Sequence, residues 1–168
     1  MVRRTDFDMI RQIVREDFPE CVEVIRKSFM TVAEQFDLTP ENTPAFTAFA
    51  TDEEKLRYWM DEQHRPMYGC FLDGRLVGYY NLYFPEDGEC ELGSLCVLPH
   101  FRHMKIGEEL LFDSMKKARA LGCSKMLLSI VEENTVLRKW YEQHGFIHTG
   151  TRKYDFFKFT CGYMEKEL

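Results

Sequence analysis

The chain has 168 residues, of which 45% are apolar, 14% aromatic and 30% charged, with a formal net charge of -6. That length suits a single domain over residues 1–168 with a substantial core, and the mixture excludes a disordered or fibrous protein. The acidic balance argues against nucleic acid or anionic lipid as partners, and the absence of a long apolar run argues against a signal peptide or membrane span, so a cytoplasmic protein is expected.

Ile10 to Val14 reads as a first strand, and Asp17-Phe18-Pro19-Glu20 has the chemistry of a helix start. Val22, Val24, Ile25, Phe29 and Val32 then form an apolar stripe near the helical period, running toward Phe36. Leu38 to Thr51, with Pro40 and Pro44, reads as a loop, and a second helix is expected near Asp52 to Gln63. Tyr68 to Leu72 and Leu76 to Phe84 flank Asp73-Gly74, a strong hairpin turn signal. A turn at Pro85-Glu86-Asp87-Gly88 leads to a third strand, Cys90 to Leu98, which Pro99 ends. Ile106 to Leu121 is the clearest amphipathic helix, with basic residues in its last turn and Gly122 beyond. Lys125 to Val131 reads as a buried strand, Asn134 to His144 as a helix ending at Gly145, and Phe146 to Tyr154 and Phe157 to Met164 as final strands.

Two segments carry chemistry. Leu95-Cys96-Val97-Leu98-Pro99-His100-Phe101-Arg102-His103-Met104-Lys105-Ile106-Gly107 is a strand that turns directly into a helix start. The unpaired N–H groups and positive dipole end of such a helix can hold a pyrophosphate, and Arg102, His103 and Lys105 add cationic charge. A solvated basic loop has the same composition. In the second segment Asn134, Leu137 or Arg138, and Tyr141 recur on one helical face before Gly145-Phe146. A helix cap at Asn134 with a core aromatic at Tyr141 is the plain alternative.

Together the segments resemble the GNAT superfamily, whose phosphate loop R/Q-x-x-G-x-G/A follows a strand ending in V-x-P and precedes N-x-x-A-x-x-x-Y-x-x-x-G-F. Arg102, Gly107, Asn134, Tyr141, Gly145 and Phe146 match in order, while Lys105 replaces the middle glycine and Leu137 the common alanine. The end of the chain, Gly145 to Thr151 and Phe159 to Glu165, looks like a bacterial subgroup of unassigned substrate. The resemblance implies a single α/β domain with a mixed, mostly antiparallel central sheet of about seven strands flanked by about four helices.

It also implies a direct transfer of acetyl from acetyl-CoA to a primary amine, on a small molecule or a protein. Leu95, Cys96 and Val97 would pair with the pantetheine arm. The main chain of Arg102, His103, Met104, Lys105, Ile106, Gly107 and Glu108 would hold the pyrophosphate, and Asn134, Leu137 and Tyr141 would complete the cofactor site. Tyr141, still protonated at neutral pH, would be the acid that protonates the departing thiolate. Glu91 matches the strand position of the general base in histone-acetylating members, with His100 a weaker candidate and a surface carboxylate the plain alternative. The acceptor side lies in Phe36 to Thr51 and the final strands.

A non-catalytic acyl-CoA-binding module is the alternative function, and retention of Tyr141 argues against it. A cysteine nucleophile at Cys96 lacks an evident paired histidine. The six cysteines, Cys21, Cys70, Cys90, Cys96, Cys123 and Cys161, hold no C-x-x-C pair, so neither a metal site nor a disulfide framework is expected. Dimers are common in the family, which makes a second copy of the chain an expected partner.

Overall fold

The computed structural model describes residues 9–168. Seven strands form one sheet: β1 (Met9–Gln12), β2 (Met67–Leu72), β3 (Arg75–Tyr83), β4 (Glu89–Val97), β5 (Lys125–Val131), β6 (Ile147–Lys153) and β7 (Thr160–Glu167). Their spatial order is β1-β2-β3-β4-β5-β7-β6. Every neighbouring pair is antiparallel except β4 and β5. Five helices accompany it: α1 (Phe18–Gln35), α2 (Thr47–Ala50), α3 (Glu53–Asp61), α4 (Ile106–Ala120) and α5 (Thr135–Gln143).

Local chemistry fixes several boundaries. The Asp17 carboxylate accepts from the Val14 N–H and from Arg11 where α1 begins, and Phe18, Cys21, Val24, Ile25 and Ser28 bury one face of that helix. Asp52 caps α3 by accepting from the Lys55 N–H at 2.8 Å. The β2–β3 turn places Asp73 at φ 48 and Gly74 at φ 78, the double left-handed geometry that a two-residue hairpin requires.

Consecutive residues of β3 key the two faces of the sheet. Tyr79 is buried opposite Cys96 on the side of α1, while Tyr80 points the other way and donates to Asp113 of α4 at 2.6 Å. The main core lies between these layers. A second, smaller cluster, including Ala33, Leu38, Phe46, Val131 and Phe159, fills the space beside β5.

The structure departs from the sequence reading in three places. The loop expected over residues 38–51 contains α2, a single turn, which brings the helix count to five rather than about four. The last strand begins at Thr160, not Phe157, because Phe157 and Phe159 turn into an aromatic cluster with stacked rings 4.7 Å apart. The first strand ends at Gln12, and Arg15–Asp17 form a short 3-10 turn. No described helix is long and apolar enough to cross a membrane.

Candidate active site

The parallel pair is where the sheet opens. β4 and β5 are in register only at Glu89–Lys125, Cys90–Met126 and Glu91–Leu127, although β4 continues to Val97 and β5 to Val131. Beyond Glu91 the two strands separate. On the other edge of β4, Tyr79 pairs with Cys96 and Asn81 with Gly93, so Ser94 and Leu95 together stand opposite Tyr80. This bulge puts Ser94 at φ 51. Gly93 is demanded by its partner: a Cβ there would clash with the Asn81 side chain, which Arg65 and the Tyr79 hydroxyl hold in place.

A cleft of about 180 Å3 opens beside β5. One wall is Ser129–Val131 with Asn134 and Leu137; the facing wall is aromatic, with Phe29, Phe46, Phe157 and Phe159. None of the residues lining it is charged.

At the end of β4, Pro99–Phe101 form a 3-10 turn and the chain reaches α4 through Arg102–Lys105. His103 (φ 63) and Lys105 (φ 64) are both left-handed. Alternation of handedness just ahead of a helix N-terminus gathers successive N–H groups into a concavity suited to an anion. The left-handed cap explains why glycine suits this position and why a lysine there carries strain. Within α4, a Cβ on Gly107 would meet only Val97 at 3.7 Å and Trp140 at 3.9 Å, so no protein atom requires glycine there.

The charges of this loop are not equivalent. Arg102 turns inward: its Nε donates to the Val97 carbonyl at 3.1 Å, Nη1 to Thr31 Oγ1 at 3.0 Å and Nη2 to the Ser28 carbonyl at 2.9 Å. The side chain read as adding cationic charge to the loop clamps that loop to α1. His103 and Lys105 are exposed, as is His100 on the turn before them. The Glu108 carboxylate lies 3.6 Å from His144 Nε2 and links the start of α4 to the end of α5.

Leu95 is half-buried and the Cys96 and Val97 side chains are buried, and none of the three lines the cleft. Burial pushes the Cys96 thiol up to about 12, opposed by the Ser28 hydroxyl and Arg102, which makes it a poor nucleophile. Asn134 is the cap of α5: its Oδ1 accepts from the Leu137 N–H at 3.2 Å, leaving its amide donors available.

Tyr141 is 6% exposed, with its ring edge-on to Trp140 and Phe146. Burial raises its phenol pKa and keeps it protonated. No described residue holds its hydroxyl in a hydrogen bond.

Glu91 sits at the root of the opening, half-buried, and is absent from the cleft lining. Burial raises its pKa, and the nearby Arg65 opposes that shift. Arg65 lies between the rings of Trp59 and Tyr83, 4.9 and 4.7 Å from their centroids. It donates to Asn81 Oδ1 at 3.1 Å, and Asn81 donates to the Tyr79 hydroxyl at 3.2 Å. The sequence reading missed this network, since Arg65 follows a helix end and carries no motif. Among the described residues, no three His, Cys, Asp or Glu side chains gather as metal ligands.

The model of the GNAT acetyltransferase family matches residues 8–146. An uncharacterised N-acetyltransferase of Mycobacterium bovis is 24% identical over 117 residues, covering 70% of this chain and 75% of that one. A spermidine N(1)-acetyltransferase of Thermoplasma acidophilum is 31% identical over 88 residues, covering 52% and 54%. Among solved structures, the PaiA N-acetyltransferase of the same organism in complex with coenzyme A superposes with a TM-score of 0.80 at 24% identity, covering 95% of this chain and 98% of that one. The ribosomal-protein-S18-alanine N-acetyltransferase of Escherichia coli gives 0.76 at 15% identity, covering 96% and 94%.

Proposed function

The chain belongs to the GNAT acetyltransferase family, and from that premise we propose that it transfers an acetyl group from acetyl-CoA directly to a primary amine. The observation that carries this reading is the juxtaposition of an opened β4–β5 pair with an anion-cradling turn at the start of α4. The residues present fit the cofactor. The N–H groups of His103 to Glu108 would hold its pyrophosphate, that of Arg102 being given to the Pro99 carbonyl, with the exposed His103 and Lys105 adding charge. The space over Gly107 suits close approach of a ligand. The open edge of Leu95, Cys96 and Val97 would pair with the pantetheine arm, beside Asn134 and Leu137.

Bound acetyl-CoA supplies an activated thioester. Main-chain N–H groups at the Ser94–Leu95 bulge would donate to its carbonyl oxygen as charge develops. Tyr141 holds the proton that the departing sulfur requires. Glu91 takes the proton from the incoming ammonium; because it lies outside the cleft lining, the proton travels through a water. Amines on small molecules and on proteins are both compatible with this chemistry, and a homodimer is part of the same proposal.

A non-catalytic acyl-CoA-binding module would keep the turn and lose the acid, and retention of Tyr141 at the family position favours the enzyme. Calorimetric titration with acetyl-CoA followed by a thiol-release screen across amines tests the proposal. Saturable micromolar binding and amine-dependent release of CoA are expected. Binding without release from any amine would favour the module, and no binding would overturn the cofactor assignment.

A further inference from the structure

The wall of the cleft formed by Phe29, Phe46, Phe157 and Phe159 reports on what it accepts. The rings form one continuous surface: Phe46 meets Phe29 at 6.1 Å and Phe159 at 5.7 Å, and Phe157 stacks on Phe159 at 4.7 Å. They come from α1, the turn before α2 and the segment before β7, so three separate parts of the chain converge on one apolar surface. No carboxylate lines the cleft.

Charges of both signs stand beside it, since Glu133 and Lys153 act on Cys161 of the lining in opposite directions. The Lys153 ammonium donates to the Phe157 carbonyl, Lys158 Nζ donates to the Asp37 carbonyl at 3.1 Å, and the Arg152 guanidinium lies 4.5 Å from the centre of the Tyr154 ring. The carboxylate of Glu133, outside the lining, is engaged by the Thr160 N–H at 3.0 Å. A second ammonium on a substrate would enter a lining that holds no carboxylate to pair with it, which is costly. A single amine on an apolar body meets the opposite situation. Its body is buried against the rings, and low dielectric around its nitrogen favours the neutral form that attacks a thioester. A cavity of about 150 Å3 suffices to hold a benzene ring. The cleft measures about 180 Å3 and its Asn134–Leu137 side is given to the cofactor, so no more than one ring or a branched alkyl group fits against the phenylalanines.

We propose that the acceptor is a small monoamine carried on a single aryl or branched-alkyl body, and that polyamines are excluded by the apolar, carboxylate-free lining. The proposal rests on the acetyltransferase reading above and assigns the acceptor of that same site. It separates this chain from the spermidine acetyltransferase to which half of it is similar.

The test is thiol release by the wild-type protein with saturating acetyl-CoA and four probes: phenethylamine, isoamylamine, spermidine, and a short peptide with an apolar N-terminal residue. The two monoamines should show kcat/KM at least tenfold above spermidine and above the peptide. Ala45 is exposed and lines the cleft, so Ala45→Asp should fold normally and move the ratio toward spermidine by tenfold or more. Phe157→Ala should raise KM for phenethylamine severalfold with the acetyl-CoA Kd unchanged. Spermidine or the peptide equal to the monoamines, or no effect of Ala45→Asp on the ratio, would overturn the proposal. Saturable acetyl-CoA binding with no turnover of either monoamine would overturn it while leaving the cofactor assignment standing. Failure to bind acetyl-CoA would remove the function itself.

Discussion

Lys105 holds a left-handed backbone that costs an L-residue about 1–2 kcal/mol, part of which glycine would return as chain entropy. Lys105→Gly should therefore stabilise the protein by roughly 0.5–1 kcal/mol in urea denaturation. It should also weaken acetyl-CoA binding severalfold at low salt and less at high salt, because the ammonium is exposed at the anion cradle. Stabilisation together with tighter binding would show that the lysine obstructs the site. Tyr141→Phe removes one hydroxyl from a packed ring, so stability and cofactor affinity should change little while kcat falls by roughly 10- to 100-fold. At Glu91 burial raises the pKa, so the carboxylate ionises above the usual carboxylate range. Activity should fall as pH drops through that raised value, and Glu91→Gln should abolish this acid limb. The stability sign is opposite. A group with a raised folded pKa favours the folded state at low pH and loses that contribution as pH rises, so Glu91→Gln should be the more stable protein at neutral pH. The candidate acid and the cap at Asn134 were legible because both fall at fixed spacings on one short helix. Arg65 was not, since its partners Trp59, Asn81 and Tyr83 come together only when α3 packs near β3.

Among the elements, α1 does more than cover the sheet. Three donors of Arg102 reach the Val97 carbonyl and two groups of α1, so the turn ahead of α4 is positioned by a helix about 70 residues earlier in the chain. Arg102→Ala should cost about 2–4 kcal/mol of stability, because it removes three charge-assisted hydrogen bonds of a half-buried guanidinium, and should raise the acetyl-CoA Kd by loosening the loop. Arg102→Lys should recover only part of this, since an ammonium cannot reproduce the planar fork. A change in Kd with no loss of stability would mean that Arg102 contacts the cofactor after all. Periodicity located α1, α3, α4 and α5 to within a few residues because each has an apolar stripe or a cap. It could not find α2, a single turn too short to show a period, or the bulge at Ser94–Leu95, which depends on Asn81 across the strand.

At the scale of the molecule, all six cysteines are buried thiols outside any disulfide. A native sample should react with DTNB at well under one equivalent in minutes, and at six after denaturation. Burial raises the thiol pKa values of Cys21, Cys90 and Cys96, so iodoacetamide should leave activity intact. The fold class was legible because hairpin signals, a phosphate-loop strand–helix junction and a strand–helix–strand finish occur in one order. The acceptor cleft was not, since its rings are far apart in sequence and only the second core cluster brings them together. The three-residue contact between β4 and β5 also means that the sheet has four free borders rather than two, and that the additional pair faces inward across the cleft. Such borders invite a foreign strand. The empty protein should accordingly be the more aggregation-prone form. A ligand that bridges the inner borders should slow amide hydrogen exchange along Leu92–Val97 and raise Tm with its concentration, which makes the cofactor a missing rung of the sheet as well as a reactant.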